Sequence, residues 1–273
     1  MAGHIIRSRI QCLSEYEKPS KYFCSLEHKS YIEKTIKKVQ LDNGNIITSQ
    51  KEILNAITKY YRNLFECKDH LTTDYDLEVM FNDYVNKLNH QESQNLEGPL
   101  LLEEIESVLK NMKHNKTPGI DGFSAEFFKV FWNKLKFFIL RVLNSSYTKG
   151  ILPLSLRQCI ITCLPKGDKP RERLKNWRPI SLLSVVYKLA SAAIANRIKK
   201  ILPKIISSTQ TGFITGRYIG ESTRLVYDIM NSTEINNIDG LLMLIDFEKA
   251  YDSISWAFMF KVLNIFGFGN SLI

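Results

Sequence analysis

Hydrophobic residues in the middle and the second half of the chain recur at the spacing of an α-helix. The longest such pattern predicts a helix over residues 124–149, which Gly150 and Pro153 end. The same spacing predicts helices over about 101–113, 184–201, 221–234 and 255–266, with Pro203 stopping the second of these. An earlier helix begins near Thr48-Ser49-Gln50.

Shorter apolar runs bounded by turn residues predict strands. Residues 35–41 and 46–47 flank the turn Asp42-Asn43-Gly44-Asn45, and residues 157–164 and 177–181 flank the basic loop 167–176. Both pairs are expected to form hairpins. Five apolar residues, 241–245, follow Asp239-Gly240 and predict a strand buried on both faces, which ends on Asp246.

This order of elements predicts an α+β fold in two parts. Residues 68–98 are polar and irregular, and Gly98-Pro99 is typical of a domain boundary. We therefore predict a helical lead-in over residues 1–98 and a second domain over residues 99–273.

Composition indicates a soluble intracellular protein. No apolar run reaches the length of a membrane span, and the N-terminal residues lack the apolar core of a secretory signal. The five cysteines are an odd number without a Cys-x-x-Cys pair, which favours buried free thiols over a metal site that includes Cys24 and His28. The sequence does not distinguish a nuclear from a cytoplasmic location.

The net charge of +9 is concentrated in one segment. Residues 166–204 contain eleven Lys and Arg against Asp168 and Glu172, whereas the remainder balances 26 basic with 26 acidic residues. Clustered positive charge predicts a polyanionic partner, and nucleic acid or nucleotide is the natural choice. A membrane surface is the competing interpretation, which the Pro and Trp interruptions of the segment disfavour.

Asp246 is the main candidate for chemistry. A carboxylate at the end of a buried strand is unfavourable unless a cation or a hydrogen-bond donor meets it. It either binds a hard cation such as Mg²⁺ or caps the following turn.

Several motifs resemble those of reverse transcriptases. Asp-Phe-Glu-Lys-Ala-Tyr-Asp at 246–252 resembles their first catalytic motif, and Lys-Thr-Pro-Gly-Ile-Asp-Gly-Phe at 116–123 resembles the loop before the fingers in non-LTR retrotransposons. Leu-Pro-Lys at 164–166 with Asn-Trp-Arg-Pro-Ile-Ser at 176–181, and Gln-x-Gly-Phe at 210–213, are similar to later segments of the same family. The lead-in from Glu17-Lys-Pro-Ser-Lys-Tyr-Phe resembles the region joining endonuclease and polymerase in long interspersed elements.

The resemblance implies an incomplete right-hand polymerase: the lead-in, fingers over about 99–204 and the first part of the palm over about 205–273. It implies an RNA template, a DNA primer and deoxynucleoside triphosphates as partners, no membrane, and Mg²⁺ as the cofactor of the complete enzyme.

By the same resemblance, Asp246 ligates two Mg²⁺ ions and the Phe247 carbonyl completes one coordination shell. Tyr251 is the gate that excludes a ribose 2′-hydroxyl, and Asp252 is structural. Nucleotide binding is implied for Lys166 and Arg178. Contact with the nucleic-acid strand is implied for Lys116, Gly119, Gln210 and Arg217.

One feature departs from the family pattern. The chain contains no Asp-Asp pair, which the family supplies from a later hairpin, so we expect a fragment that does not polymerise alone. Two alternatives remain: a non-catalytic nucleic-acid-binding remnant, or a decayed gene copy with an open sheet edge.

Overall fold

The computed structural model describes residues 35–66, 86–247 and 250–273. It divides into two compact units, the first comprising Met1–Asn63, Leu109–Ile139 and Gly150–Lys188, and the second Leu64–Val108, Leu140–Lys149 and Leu189–Ile273. Gly98 and Pro99 both fall inside the second unit. The domain division at these residues stays a prediction.

The first unit begins with a small hairpin followed by a helix. Strand β1 (Val39–Gln40) pairs antiparallel with β2 (Ile46–Ile47), and Gly44 takes the left-handed backbone of the turn between them. Helix α1 (Gln50–Phe65) follows, close to the predicted start. Ile53 on α1 is buried, so the predicted periodicity places it correctly towards the core.

A second hairpin forms the main sheet of the first unit, as predicted. Strand β3 (Ile160–Pro165) pairs antiparallel with β4 (Trp177–Leu182) in a register that sets Leu164 opposite Arg178. The connecting loop ends in a short 3₁₀ turn, Leu174–Asn176. Leu174 is buried with Val39 of β1 and Ile53 of α1, so the loop is anchored in the same hydrophobic cluster as these two elements.

Helices α3 (Leu102–Asn111) and α4 (Ala125–Lys149) agree closely with the sequence pattern. Only part of the predicted apolar face of α4 is buried, however. Phe128, Ile139 and Leu143 are at most 7% exposed, whereas Phe131 and Phe138 are 42% and 69% exposed. Helical spacing predicts which residues share a face, but not how much of that face a neighbour covers.

The second unit contains a short helix that the sequence analysis missed. Helix α2 (His90–Leu96) lies where an irregular stretch was predicted. Its start is a capping box: Asn89 accepts a hydrogen bond from the Glu92 backbone, and the Glu92 carboxylate accepts one from the Asn89 backbone. The Asn-x-x-Glu spacing of this box is a recognisable signal in the sequence.

A short helix, α5 (Leu154–Arg157), precedes β3, and α6 (Val185–Ile205) follows β4. Pro203 lies inside α6 rather than ending it, so that prediction is wrong. Ile205 is buried in a cluster with Leu88, Leu96 and Phe268. Burial of this last turn offsets the backbone hydrogen bond that proline cannot donate.

Arg197 on α6 connects that helix to the chain before α3. Its guanidinium binds both carboxylate oxygens of Glu104 at 2.6 Å. It also donates to the carbonyl oxygens of Gly98 and Pro99 at 2.8 Å, of Leu96 at 3.2 Å and of Glu97 at 3.4 Å. One side chain therefore fixes the turn between α2 and α3.

The chain continues through α7 (Gly220–Ile235), α8 (Ala250–Ser253) and α9 (Trp256–Ile265). Residues 241–247 between α7 and α8 form no regular structure, and the buried strand predicted over 241–245 is wrong. Leu241 is 88% exposed and Leu244 82%. A strand needs a neighbour for its backbone hydrogen bonds, and no strand within the described residues pairs with this segment.

The helices and the two small sheets of the described residues confirm the α+β class. Of the five cysteines, the structure describes Cys159 and Cys163, and both are free thiols. Cys159 is exposed rather than buried as predicted, whereas burial raises the pKa of Cys163. None of the helices in the described part of the chain combines the length and hydropathy of a membrane span.

Candidate nucleic-acid and nucleotide site

Lys166 and Arg178 lie at the loop end of the β3–β4 hairpin. Lys166 directly follows β3, and its backbone donates a hydrogen bond to the Asn176 carbonyl at 2.8 Å, which extends the ladder by one step. Because Arg178 is opposite Leu164, two residues before Lys166, both cations belong to the same face of the hairpin. Arg178 is exposed, and the Lys166 ammonium donates to the Lys175 carbonyl at 2.8 Å.

The loop of this hairpin is held by its own hydrogen bonds. The Trp177 indole donates to the Arg171 carbonyl at 2.8 Å, and the Asn176 amide donates to the Pro170 carbonyl at 2.7 Å. Trp177 is 2% exposed. Lys166 and Arg178 therefore flank a loop of defined conformation.

The lead-in also holds this loop, a role that the sequence analysis missed. The Gln40 backbone donates to the Glu172 carbonyl at 2.8 Å, and Lys38 pairs with the Glu172 carboxylate at 2.9 Å. The hydrogen bond from Lys38 lowers the pKa of Glu172. These contacts join residues more than a hundred positions apart, so local sequence patterns carry no signal for them.

Lys116 lies in an exposed loop between α3 and α4. The Asn115 backbone, at a positive φ of 57°, donates to Glu126 at 2.7 Å. The Asp121 carboxylate accepts from the Phe123 backbone at 3.2 Å, closing the other end. The Ser124 hydroxyl, together with backbone donors, lowers the pKa of Glu126.

Gly119 in the same loop is buried, and its neighbours explain why glycine is required. A Cβ at this position would lie 2.5 Å from the Ser184 nitrogen and 2.7 Å from the Leu183 carbonyl carbon. The loop backbone therefore packs directly on the backbone that joins β4 to α6. Contact of Gly119 with a template strand stays a prediction.

Gln210 and Arg217 lie in the loop between α6 and α7, and the side chains of both donate hydrogen bonds to backbone carbonyl groups in or next to this loop. The terminal nitrogens of Arg217 donate to four carbonyl groups: Pro203 and Ile206 at 2.9 and 2.8 Å, Gln210 at 2.7 Å, and Ser207. Arg217 therefore satisfies carbonyls at the end of α6 that the helix leaves without partners.

The Gln210 amide donates to the Gly212 carbonyl at 3.2 Å. In the structure, Gln210 and Arg217 thus shape the loop that carries them. Their contact with a nucleic-acid strand stays a prediction.

Asp246 and Phe247 lie just before α8 and Tyr251 lies on α8, and all three are exposed. Phe247 is 79% exposed and Tyr251 is 85% exposed. Residues 248 and 249 lie outside the described part of the chain. Three described residues of the motif, Asp246, Phe247 and Tyr251, are therefore on the surface of the second unit.

The described residues do not by themselves build a metal centre at Asp246. Across residues 35–66, 86–247 and 250–273, no three His, Cys, Asp or Glu side chains form a group that could hold an ion. A pair of cations about 3.5–4 Å apart needs several carboxylates, and Asp246 supplies one.

Part of the chain matches a known protein family. Residues 164–273, which contain the β3–β4 hairpin and Asp246, match the family model of reverse transcriptase (RNA-dependent DNA polymerase). This stretch is therefore part of a reverse transcriptase domain.

The related proteins define the branch of the family. The chain is 32% identical over 271 residues to the transposon TX1 uncharacterized 149 kDa protein of Xenopus laevis, across 99% of the chain and 20% of that protein. It is 28% identical over 159 residues to the probable RNA-directed DNA polymerase from transposon BS of Drosophila melanogaster, across 57% of the chain and 17% of that protein. The chain is homologous to the RNA-directed DNA polymerases of non-LTR retrotransposons, which confirms the resemblance.

The chain spans about a fifth of the length of the relatives it matches. A putative 115 kDa protein of the type-1 retrotransposable element R1DM of Drosophila melanogaster matches over 155 residues, or 15% of its length. These matches therefore cover only a small part of each related protein.

Proposed function

We propose that this chain supplies the fingers and the first palm motif of a polymerase that copies an RNA template into DNA. The observation that carries the proposal is the Asp246–Asp252 motif, which lies inside the stretch that matches the reverse transcriptase model. Its substrates are deoxynucleoside triphosphates, and its partners are the RNA template and the DNA primer.

In this proposal Asp246 is a ligand of Mg²⁺, together with the Phe247 carbonyl, and the ions supply charge stabilisation for nucleotidyl transfer. Since the described residues hold no group of three His, Cys, Asp or Glu side chains that could bind an ion, the remaining ligands come from other residues of the full-length polymerase. Tyr251 excludes the ribose 2′-hydroxyl. Asp252 is structural.

Lys166 and Arg178 bind the triphosphate or the template in this proposal. Their support is structural: a guanidinium and an ammonium group share one face at the loop end of an anchored hairpin. Arg forks two phosphate oxygens, and Lys acts as a point charge. Lys116 and the Gly119 backbone lie along the template, while Gln210 and Arg217 shape the loop that faces it.

The test is primer extension by a complete non-LTR polymerase that carries residues 164–273 of this chain. Asp246→Asn keeps the size of the side chain and removes its charge, so extension is expected to be abolished while binding of the template–primer is retained. Asp252→Asn is the matched control and is expected to extend. Templated synthesis by the Asp246→Asn enzyme would overturn the proposal.

A second candidate function is nucleic-acid binding without catalysis, which the charge distribution favours. Residues 166–204 hold the whole excess of positive charge. If this function applies, the purified chain binds nucleic acid with a steep salt dependence, which the double variant Lys166→Gln, Arg178→Gln reduces. Affinity that is indifferent to salt would contradict it.

A further inference from the structure

Phe213 is an exposed aromatic residue in an unfavourable backbone conformation. Its side chain is 90% exposed, which is the highest value among the large hydrophobic residues that the structure describes. Its φ of 63° lies in the left-handed region, which costs free energy for a residue with a bulky side chain. The roles proposed for Asp246, Lys166 and Arg178 do not explain why the Phe213 ring is exposed in this conformation.

The loop around Phe213 is fixed at both ends, so the exposed ring is held in place. Arg217 ties one end to four carbonyl groups, including those of Pro203 and Ile206 at the end of α6. Thr211 forms a hydroxyl–hydroxyl hydrogen bond of 2.7 Å with Ser222 on α7. A strained conformation persists only where the surrounding structure imposes it, and these contacts do so here.

A groove that suits a phosphate chain lies beside the same loop. Its volume is about 490 Å³, and its lining includes Thr215 of the loop together with Asn196, Lys199 and Lys200 of α6. Thr215 is two positions after Phe213, at most about 7 Å of extended chain. Two ammonium groups, an amide and a hydroxyl are all groups that bind phosphate oxygens.

Two acidic residues, Glu103 and Glu104, also line the groove. Glu104 is bound by Arg197 through both carboxylate oxygens at 2.6 Å, so the charges of this pair compensate each other. The remaining charged lining residues are Lys199 and Lys200 against Glu103. The net charge of the groove is therefore positive.

We propose that this groove binds the sugar-phosphate backbone of a single-stranded nucleic-acid segment while Phe213 stacks on one of its unpaired bases. A cationic groove beside an exposed aromatic ring is the arrangement by which proteins hold single strands without reading their sequence. The inference deepens the proposed function, because it rests on nucleic-acid binding by the chain. It assigns Gln210 and Arg217 to positioning Phe213.

Binding of fluorescein-labelled oligonucleotides to the purified chain, measured by anisotropy, tests this inference. Phe213→Ala is expected to weaken binding of single-stranded RNA or DNA roughly 5- to 150-fold, the effect of one lost stacking contact. Phe213→Trp is expected to retain affinity. Separate RNA and DNA probes of one sequence show which strand the site prefers.

Two further comparisons separate stacking from folding and from charge. Phe213→Gly removes the ring and relieves the left-handed backbone, so it is expected to bind as weakly as Phe213→Ala with a thermal midpoint no lower than wild type. Lys199→Gln and Lys200→Gln are each expected to reduce the salt slope by about 0.7, whereas Phe213→Ala leaves the slope unchanged. Phe138→Ala is the matched control, an exposed aromatic on α4, and is expected to bind as wild type.

An abasic oligonucleotide gives the sharpest contrast, because it offers phosphates without bases to stack. Wild type and Phe213→Ala are expected to bind it equally. If Phe213→Ala binds single strands as tightly as wild type, the inference is wrong while nucleic-acid binding by the chain stands. If the wild-type chain binds no single strand, both the inference and nucleic-acid binding by this chain fail.

Discussion

Replacing Arg197 by Ala tests the packing of the second unit, because this side chain joins α6 to the turn before α3. The substitution removes two charged hydrogen bonds to Glu104 and four to carbonyl groups. The Arg197 side chain is 11% exposed and that of Glu104 is 26% exposed. Removing one partner of a fully buried pair costs about 3–5 kcal/mol, and the partial exposure of Glu104 brings the expected loss to about 3 kcal/mol.

Urea denaturation followed by far-ultraviolet circular dichroism measures this loss. The midpoint is expected to fall at constant m value. Arg224→Ala is the matched control: Arg224 pairs with Asp228 at 3.3 Å on the surface of α7, with side chains 79% and 54% exposed. Its loss is expected to be below about 0.5 kcal/mol. A loss below about 1 kcal/mol for Arg197→Ala would refute the reasoning.

The same pair predicts a pH dependence. The hydrogen bond from Arg197 holds the pKa of the Glu104 carboxyl below its ordinary value. Because the folded-state pKa is lowered, the contribution of Glu104 is complete above the pKa of the unfolded chain and is lost as the pH falls through the folded-state pKa. In the Arg197→Ala variant, the free energy of unfolding is expected to fall less as the pH is lowered. An unchanged pH dependence of the free energy of unfolding would contradict the pairing of Arg197 with Glu104.

Three further predictions concern the first unit and the palm motif. Leu174→Ala leaves a cavity beside Val39 and is expected to lower the free energy of unfolding by about 2–3 kcal/mol, whereas Leu101→Ala, at a position 56% exposed, is expected to have little effect. Gly119→Ala forces a methyl group into the backbone that links β4 to α6, and a loss of more than about 2 kcal/mol in urea denaturation is expected. A loss of less than about 1 kcal/mol would contradict that packing. Tyr251→Ala in the complete polymerase is expected to admit ribonucleotides in primer extension, and unchanged discrimination would make the gate assignment wrong.

The purified chain is also expected not to extend a primer in the presence of Mg²⁺, since Asp246 is one carboxylate where two ions need several. Templated DNA synthesis by the chain alone would falsify this expectation.

Elements defined by local pattern were predictable from the sequence. Helix α4 follows the 3.6-residue spacing of its apolar residues, and the β3–β4 hairpin follows two apolar runs around a basic loop. The capping box of α2 was visible as Asn89 and Glu92, although the polar composition of that stretch concealed it.

Features that depend on distant partners were not predictable. The exposed segment 241–247 has the composition of a buried strand, but a strand forms only beside another strand. Arg217 was expected to face a nucleic-acid strand, and only the structure shows its guanidinium on four carbonyl groups. Leu174 anchors the hairpin loop by packing against Val39 and Ile53 of the lead-in, and this contact likewise joins residues far apart in the sequence.

The most direct test of the central claim is to replace the matching stretch of a working non-LTR polymerase with residues 164–273 of this chain. If this stretch is a functional part of a reverse transcriptase domain, the chimaera binds template–primer and synthesises DNA from RNA. A chimaera that folds and binds template–primer but incorporates no deoxynucleotide would contradict the claim.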